Sequence, residues 1–471
     1  MTNITVCNPY DQSPISELPQ TSEQSVAAAM DSACQIFDNR RRWLPAYERV
    51  EILERVVDIM SSQVEELTML AASEGGKPYT DSKVEVMRAI NGVKLAIEHI
   101  PAIKGEEIPM GHTASSANRM AFTRREPIGP VVSVSAFNHP LNLIVHQTIP
   151  AIAVGCPVVI KPAALTPLSC FRLVEILKEA GLPEGWCTAV LPSRDVSEKL
   201  VCDTRTNFFS FIGSAKVGWM LQSKLSPGTR SALEHGGAAP VIIDSSMFND
   251  DAAEKLDDMI GSLSKGGFYH AGQVCVSVQR VYVPKEHSRR LAEQLAKSAK
   301  GLDVGDQFNH DTEVGPLITP AEVDRIASWV ESAVQGGASL LSGGKKISDT
   351  CYEPTVLLDP PQDAEVSQLE IFGPVVCVYS YQEKNDAIAQ ANALPFAFQA
   401  SVFTQRLDDA LNVSQQLNAT AVMVNDHTAF RVDWMPFGGR DASGIGMGGI
   451  PYSMHEMTRE KMTVIKSDVL I

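Results

Sequence analysis

VVSVSAFNHPLNLIVHQTIPAIAVGCPVVIKP (131–162) holds no charged residue before Lys161, and how it is read decides the fold. A membrane span needs about 20 predominantly apolar residues in one helix. Pro140, Pro150 and Pro157 interrupt this run, and Asn138, His139, Asn142, His146 and Gln147 stud it. It reads instead as a buried strand, a helix through residues 143–154, and a second buried strand. On that reading Asn138 follows the end of one strand and Lys161 ends the other.

The same rhythm extends downstream. A helix from Thr166 to Ala180, the strand CTAVLP (187–192), another helix, FFSFIG (208–213), a helix from Ser214 to Leu225, and SALEHGG (231–237) follow in turn. Short apolar strands without alternation, separated by helices, imply a parallel sheet covered on both faces. Ligands of such sheets bind beyond the carboxyl ends of the strands. A second α/β series begins at PVIID (240–244), passes a helix around 251–265 and continues past residue 425.

Upstream, Thr21 and Gln24 fit a capping box before VAAAMDSACQIF (26–37). A longer helix follows Pro45, with Val50, Leu53, Val56, Val57, Met60 and Val64 at helical spacing. Residues 106–127 read as an extended hairpin standing apart from the core, either an ordinary surface hairpin or a subunit contact. KMTVIKSDVL (461–470) reads as a strand of alternate exposure.

Composition narrows the function. The 471 residues suit two or three domains, and 40 Lys plus Arg against 56 Asp plus Glu leave a net charge of -16. Such an anionic surface repels phosphate backbones and acidic bilayers, so neither a nucleic acid nor a membrane is an expected partner. Nine cysteines with no CxxC pair fit neither a disulfide framework nor a zinc ribbon. Reduced thiols, no metal and a cytoplasmic location are expected, and the first twenty residues show no basic start followed by an apolar run.

Cys275 stands out by its setting, YHAGQVCVSVQRVYV (269–283), where a helix ends, small residues allow a tight turn and a strand begins. A thiol there can face a cleft with backbone N–H groups nearby to receive developing negative charge. It needs a base or a positive field to act as a nucleophile, and the competing role is a small core hydrophobe. Glu234 in LEHGG, at a strand's carboxyl end, suits a general base for a thiol or a water, or a plain surface or capping carboxylate. The Asn138 amide can donate to an oxyanion or form a turn. Lys161 suits a ribose hydroxyl or a phosphate. Gly213 and Ser214 in FIGSAKVG (211–218) open a helix whose free N–H groups favour phosphate.

FNHP (137–140), VVIKPA (158–163), FIGSAKVG, LEHGG, AGQVC (271–275), LEIFGPV (369–375) and PFGG…SGIG (436–446), in this order and spacing, resemble the aldehyde dehydrogenase superfamily over essentially the whole chain. The resemblance implies an α/β fold with a Rossmann-like dinucleotide-binding domain (1–105 and 128–239), an α/β catalytic domain (240–450) and a β oligomerisation arm (106–127 and 451–471). It implies that Cys275 attacks an aldehyde, that Asn138 and the Cys275 backbone N–H hold the oxyanion, and that Glu234 activates the water that hydrolyses the resulting thioester. Lys161, Gly213, Ser214, Glu370 and Phe372 would hold NAD or NADP, with the last two at the nicotinamide end. A homodimer or homotetramer is the implied assembly.

Departures from the family pattern carry information. Ala164 occupies a position where NAD-preferring members often place a glutamate, so a 2′-phosphate meets no carboxylate and NADP is admitted. Phe137 stands where tryptophan is frequent, Asp441 where lysine is usual, and Gly448 where glutamate is frequent. FRVDWMPFGG (430–439) resembles the branch of lactaldehyde, succinic-semialdehyde and phosphorylated-aldehyde dehydrogenases. There Phe430 would line the substrate funnel, and Arg431 would either anchor a carboxylate, phosphate or sulfonate or pair with Asp433 or another acid; the implied substrate is a short, 2-hydroxy or anionic aldehyde. The alternative functions are a cofactor-independent thiol esterase, a non-catalytic binding protein on the same fold, and an acyl-phosphate reductase, the last disfavoured by Glu234.

Overall fold

In a computed structural model, which describes residues 3–249 and 253–470, two sheets, each parallel but for one antiparallel edge strand, carry the chain. The first orders its strands Gly444–Ile445, Arg230–Glu234, Phe208–Ile212, Val131–Val134, Val158–Lys161 and Cys187–Ala189, with only the Gly444–Ile445 edge antiparallel. The chain leaves Val131–Val134 towards Val158–Lys161, then returns to lay Phe208–Ile212 on its other side. That reversal opens a crevice at the carboxyl ends of the central strands, where Asn138, Lys161 and Gly213 follow. The second sheet runs Ser339–Ser342, Thr355–Leu358, Val375–Tyr381, Val278–Pro284, Ala239–Ile243, Gln399–Phe403 and Ala421–Val424.

The uncharged stretch folds as expected. Helix Asn142–Val154 is buried along its whole length between strands Val131–Val134 and Val158–Lys161, and ends on Gly155 at φ 95°. No charge could be tolerated on any face of such a helix without a partner. Among the described residues, no helix is long and apolar enough to cross a membrane.

Two buried glutamates outside the sheet fix the helices that cover it. Glu85 accepts the N–H groups of Leu141 and Asn142, each at 3.0 Å, and pairs at 2.5 Å with the equally buried Lys77. Glu74 does the same for helix Leu168–Glu179, accepting from Leu168 at 2.6 Å and Ser169 at 2.8 Å. Both satisfy orphan N–H groups at a helix start and oppose the positive end of its dipole. Neither helix has a local side-chain cap.

Some local expectations change. Ser22, not Thr21, caps helix Glu23–Asp38, because the Thr21 hydroxyl and backbone are already engaged by Leu191. Val64 opens a separate helix, Val64–Gly75, after Ala46–Ser62 has ended. The helix after Ser214 stops at Gln222, and the one expected from 251 is described as Ala253–Phe268, residues 251 and 252 lying outside the described set. The hairpin and closing strand meet each other: Arg119–Pro127 pairs antiparallel along its length with Thr458–Lys466 and carries Glu107–Ile108 on its other edge. Met120, Phe122, Met462 and Val464 are exposed on this sheet.

Candidate functional site

Five of the residues singled out for chemistry meet in one place. Asn138, Glu234 and Cys275 line a cavity of about 330 Å³ together with Arg88, Phe430 and Arg431. Cys275 reaches it through an unusual bend. His270, Ala271 and Gly272 all take left-handed backbone, with φ of 49°, 52° and 69°. The two non-glycine residues cost on the order of 1–3 kcal/mol each, a strain the surrounding contacts must hold. At Gly272 a β-carbon would strike the Gly373 carbonyl, so no other residue fits there.

Gln273 clamps the bend. Its side chain donates to the carbonyls of His270 and Pro316 and accepts from Ile318 N–H at 3.0 Å, while its own carbonyl accepts from the Asn138 amide at 2.9 Å. Thr428 donates to the Val276 carbonyl at 2.7 Å on the other side of Cys275. The bond to Gln273 uses one of the two Asn138 amide hydrogens and ties the expected oxyanion donor to the nucleophile's loop.

Burial sets the titration of the site. It pushes the Glu234 carboxyl up to about 7, against a small opposing pull from Arg431. It also pushes the Cys275 thiol well up, with Glu370 and Glu234 adding to the shift. The resting thiol is therefore protonated at neutral pH, and Glu234 is poised to exchange protons there.

Arg431 does not pair with Asp433, which corrects that alternative. Asp433 is taken by Arg88, at 2.7 and 3.1 Å, and by His146 Nε2 at 2.8 Å. Although burial opposes it, these bonds and charges hold the Asp433 carboxyl far below the usual range. His146, pushed down to about 4 by burial, is neutral and gives Asp433 its Nε2 proton. The Arg431 guanidinium lies 3.5 Å from the Phe437 ring centroid, and its Nη2 is 3.4 Å from His146 Nδ1. Among the described residues no carboxylate lies within 4.0 Å of it, and its Nε is buried without a partner.

The residues expected around a dinucleotide lie outside this cavity. Lys161 ends its strand half-buried, its ammonium disfavoured by burial, with no hydrogen bond or ion pair among the described residues. Ala164 is exposed three residues on. Ser214 is exposed at the start of helix Ala215–Gln222, next to Gly213, and its hydroxyl makes no capping bond. Glu370 accepts from Gly237 N–H at 3.2 Å and presses so close to Gly236 that a β-carbon there would collide with it. Burial pushes Glu370 up to about 8. Phe372, with φ 49°, meets Phe137 edge-on at 5.8 Å. An uncommitted cation, a helix N-terminus and an aromatic wall suit a ribose, a pyrophosphate and a planar ring respectively.

Arg88, Gln273, Thr428, His146 and Asp433 were absent from the sequence-based site. Arg88 meets Asp433 across 345 positions of chain, and no local spacing announces that pairing. Gln273 alone carried a local signal, lying two residues before the thiol.

Known proteins resemble the chain closely. The aldehyde dehydrogenase family model matches residues 1–463. The 3-sulfolactaldehyde dehydrogenase of Priestia aryabhattai is 36% identical over 462 residues, covering 98% of this chain and 94% of the relative. The lactaldehyde dehydrogenase of Methanocaldococcus jannaschii is 34% identical, covering 98% and 97%. Among solved structures, aldehyde dehydrogenase 21 of Physcomitrella patens, in complex with its reaction product succinate, has a TM-score of 0.94 and 35% identity over 100% of this chain and 96% of that one. The NADP complex of glyceraldehyde-3-phosphate dehydrogenase from M. jannaschii has a TM-score of 0.92 and 32% identity over 99% and 100%. By sequence along nearly its whole length and by fold, the chain belongs to the aldehyde dehydrogenase family of oxidoreductases.

Proposed function

We propose that the protein oxidises a short aldehyde bearing an anionic group to the carboxylic acid with NAD or NADP. The observation that carries this reading is the Arg431 guanidinium, without a carboxylate partner among the described residues, in the same cavity as Cys275, Glu234 and Asn138. The names of relatives support it: 3-sulfolactaldehyde and succinate each carry a second anionic group separated by two carbons from the carbon that is oxidised. With a net charge of -16, the protein's overall field opposes an anion, so local cations must select it.

Cys275 loses its proton to solvent, and its sulfur bonds to the aldehyde carbon. The alkoxide of the thiohemiacetal accepts hydrogen bonds from the Asn138 amide and the Cys275 backbone N–H, donors placed before charge develops. The dinucleotide, when bound, supplies the hydride acceptor that turns this adduct into a thioester. Glu234 then takes a proton from water, whose oxygen attacks the thioester carbonyl and releases the acid and the Cys275 thiol. Lys161 and Ser214 would hold the ribose and phosphate end, while Glu370, Phe372 and Phe137 would border the nicotinamide end. Ala164 leaves room for a 2′-phosphate, with Lys161 as its partner.

The proposed dinucleotide-binding, catalytic and arm regions keep the divisions given above, except that Gly444–Ile445 and helix Ile450–Glu456 go with the first sheet and its core. The sheet of Arg119–Pro127 and Thr458–Lys466, with its exposed apolar residues, would join subunits into a homodimer or homotetramer. Purified protein given plain, 2-hydroxy and anionic short aldehydes with NAD or NADP is expected to reduce the dinucleotide, fastest with the anionic set. Cys275→Ala is expected to abolish that reduction. Ester turnover independent of dinucleotide, with no aldehyde oxidised, would establish the esterase alternative instead.

A further inference from the structure

The residue after the candidate base is His235, and its side chain is completely buried. Its Nδ1 lies 2.9 Å from the Gly213 carbonyl oxygen. The ring meets Phe211 and Trp219 edge-on, at centroid distances of 5.6 and 5.5 Å. A β-carbon at Gly218 would strike the imidazole, so the first turn of helix Ala215–Gln222 rests directly on it. The main chain closes the same corner: Gly213 N–H donates to the Glu234 carbonyl at 3.1 Å, and His235 N–H to Ser443 at 3.0 Å.

A neutral imidazole carries one proton, and an accepting carbonyl at Nδ1 places it there. Nε2 then holds only a lone pair against its apolar surroundings, where it has no partner. Burial keeps the ring in this neutral form. Across a trans peptide the carbonyl and the following N–H point in opposite directions. Turning the Gly213 carbonyl inward to His235 therefore turns the Ser214 N–H outward, at the start of the helix.

We propose that His235 is a positioning residue for the dinucleotide's phosphates, using its Nδ1–H to lock the Gly213–Ser214 peptide so that the helix presents its N–H groups to them. The assignment rests on the dinucleotide reading above. Without the Nδ1–H, the Gly213 carbonyl has no donor in its apolar corner and the peptide is free to rotate.

The test is direct binding of NADP, and of ADP, which carries two phosphates and no nicotinamide, by isothermal titration calorimetry. His235→Leu fills the corner but cannot donate, and is expected to weaken both ligands about tenfold, the scale of one lost hydrogen bond. His235→Asn, whose Nδ2 is attached like the imidazole Nδ1, is expected to restore binding to within threefold of the parent protein. If His235→Leu fails to fold, the unbranched His235→Met takes its place as the non-donating variant. Unchanged ADP affinity in the non-donating variant, or an Asn variant as weak as it, overturns the assignment of His235 while leaving the dinucleotide reading intact. A parent protein that binds neither ADP nor NADP overturns both.

Discussion

Glu234 offers the sharpest test of the proposed chemistry, because its burial ties the reaction to a narrow pH range. Raising its carboxyl from 4.5 to about 7 corresponds to about 3 kcal/mol in favour of the protonated form. The base is the ionised form, so activity is gained as pH rises through 7. At pH 6 roughly a tenth of the protein carries the carboxylate and at pH 8 roughly nine-tenths, so turnover limited by Glu234 should rise about tenfold between them. An ordinary glutamate would be ionised throughout and give a flat profile. Glu234→Gln keeps the shape, removes the titration and should slow turnover by about 10²–10⁴-fold. Because thioester hydrolysis is then blocked, intact-protein mass spectrometry after one turnover should find the acyl group on Cys275. The linkage runs the other way for stability: a raised carboxyl favours the folded state below its shifted pKa and loses that advantage as pH rises through 7. The Gln variant should therefore be more stable than the parent at pH 8, by up to about 3 kcal/mol, and not at pH 4. A flat profile from pH 6 to 8, or a Gln variant with parental turnover, would refute the role of Glu234.

Arg431→Leu should lower kcat/KM for anionic aldehydes about 10–100-fold relative to neutral aldehydes of the same length, the range of a lost charged hydrogen bond, as read from steady-state rates with both sets. Equal losses on the two sets would remove Arg431 as an anchor. Ala164→Glu places a carboxylate where a 2′-phosphate would lie, and should move the ratio of kcat/KM for NADP over NAD towards NAD; an unchanged ratio would dismiss the position. Glu85→Gln strands the buried Lys77 charge and weakens the cap on helix Asn142–Val154. A loss of about 3–5 kcal/mol is expected, seen as a lower melting temperature by circular dichroism, and a parental melting curve would contradict it.

What the sequence disclosed follows from how local each signal is. Asn138, Lys161, Ser214 and Glu234 each sit at a strand end or helix start, and the alternation of apolar runs and helices locates those points without any knowledge of contacts. Their gathering along one sheet edge follows from parallel topology. Arg431 was visible as a candidate, but its freedom from Asp433 was not, since that depends on Arg88 from a helix far away in the chain. The caps supplied by Glu74 and Glu85 were hidden for the same reason: a carboxylate that caps a distant helix leaves no trace in that helix's own sequence. Thr21 shows the converse, a good local cap diverted by a tertiary partner at Leu191.

The short strand Gly444–Ile445 completes the sheet that carries Glu234, and helix Ile450–Glu456 sends Ile450 and Met454 into the core beneath helix Asn142–Val154. Both pieces are made long after the strands they finish. On the ribosome, the first sheet is thus fully translated while one edge is still bare and part of its apolar floor uncovered, a condition that invites wrong pairing with other chains. A chain ending before Gly444 would leave the Glu234 strand unpaired on that side and the core beneath helix Asn142–Val154 open, although every strand end proposed to hold the dinucleotide were present.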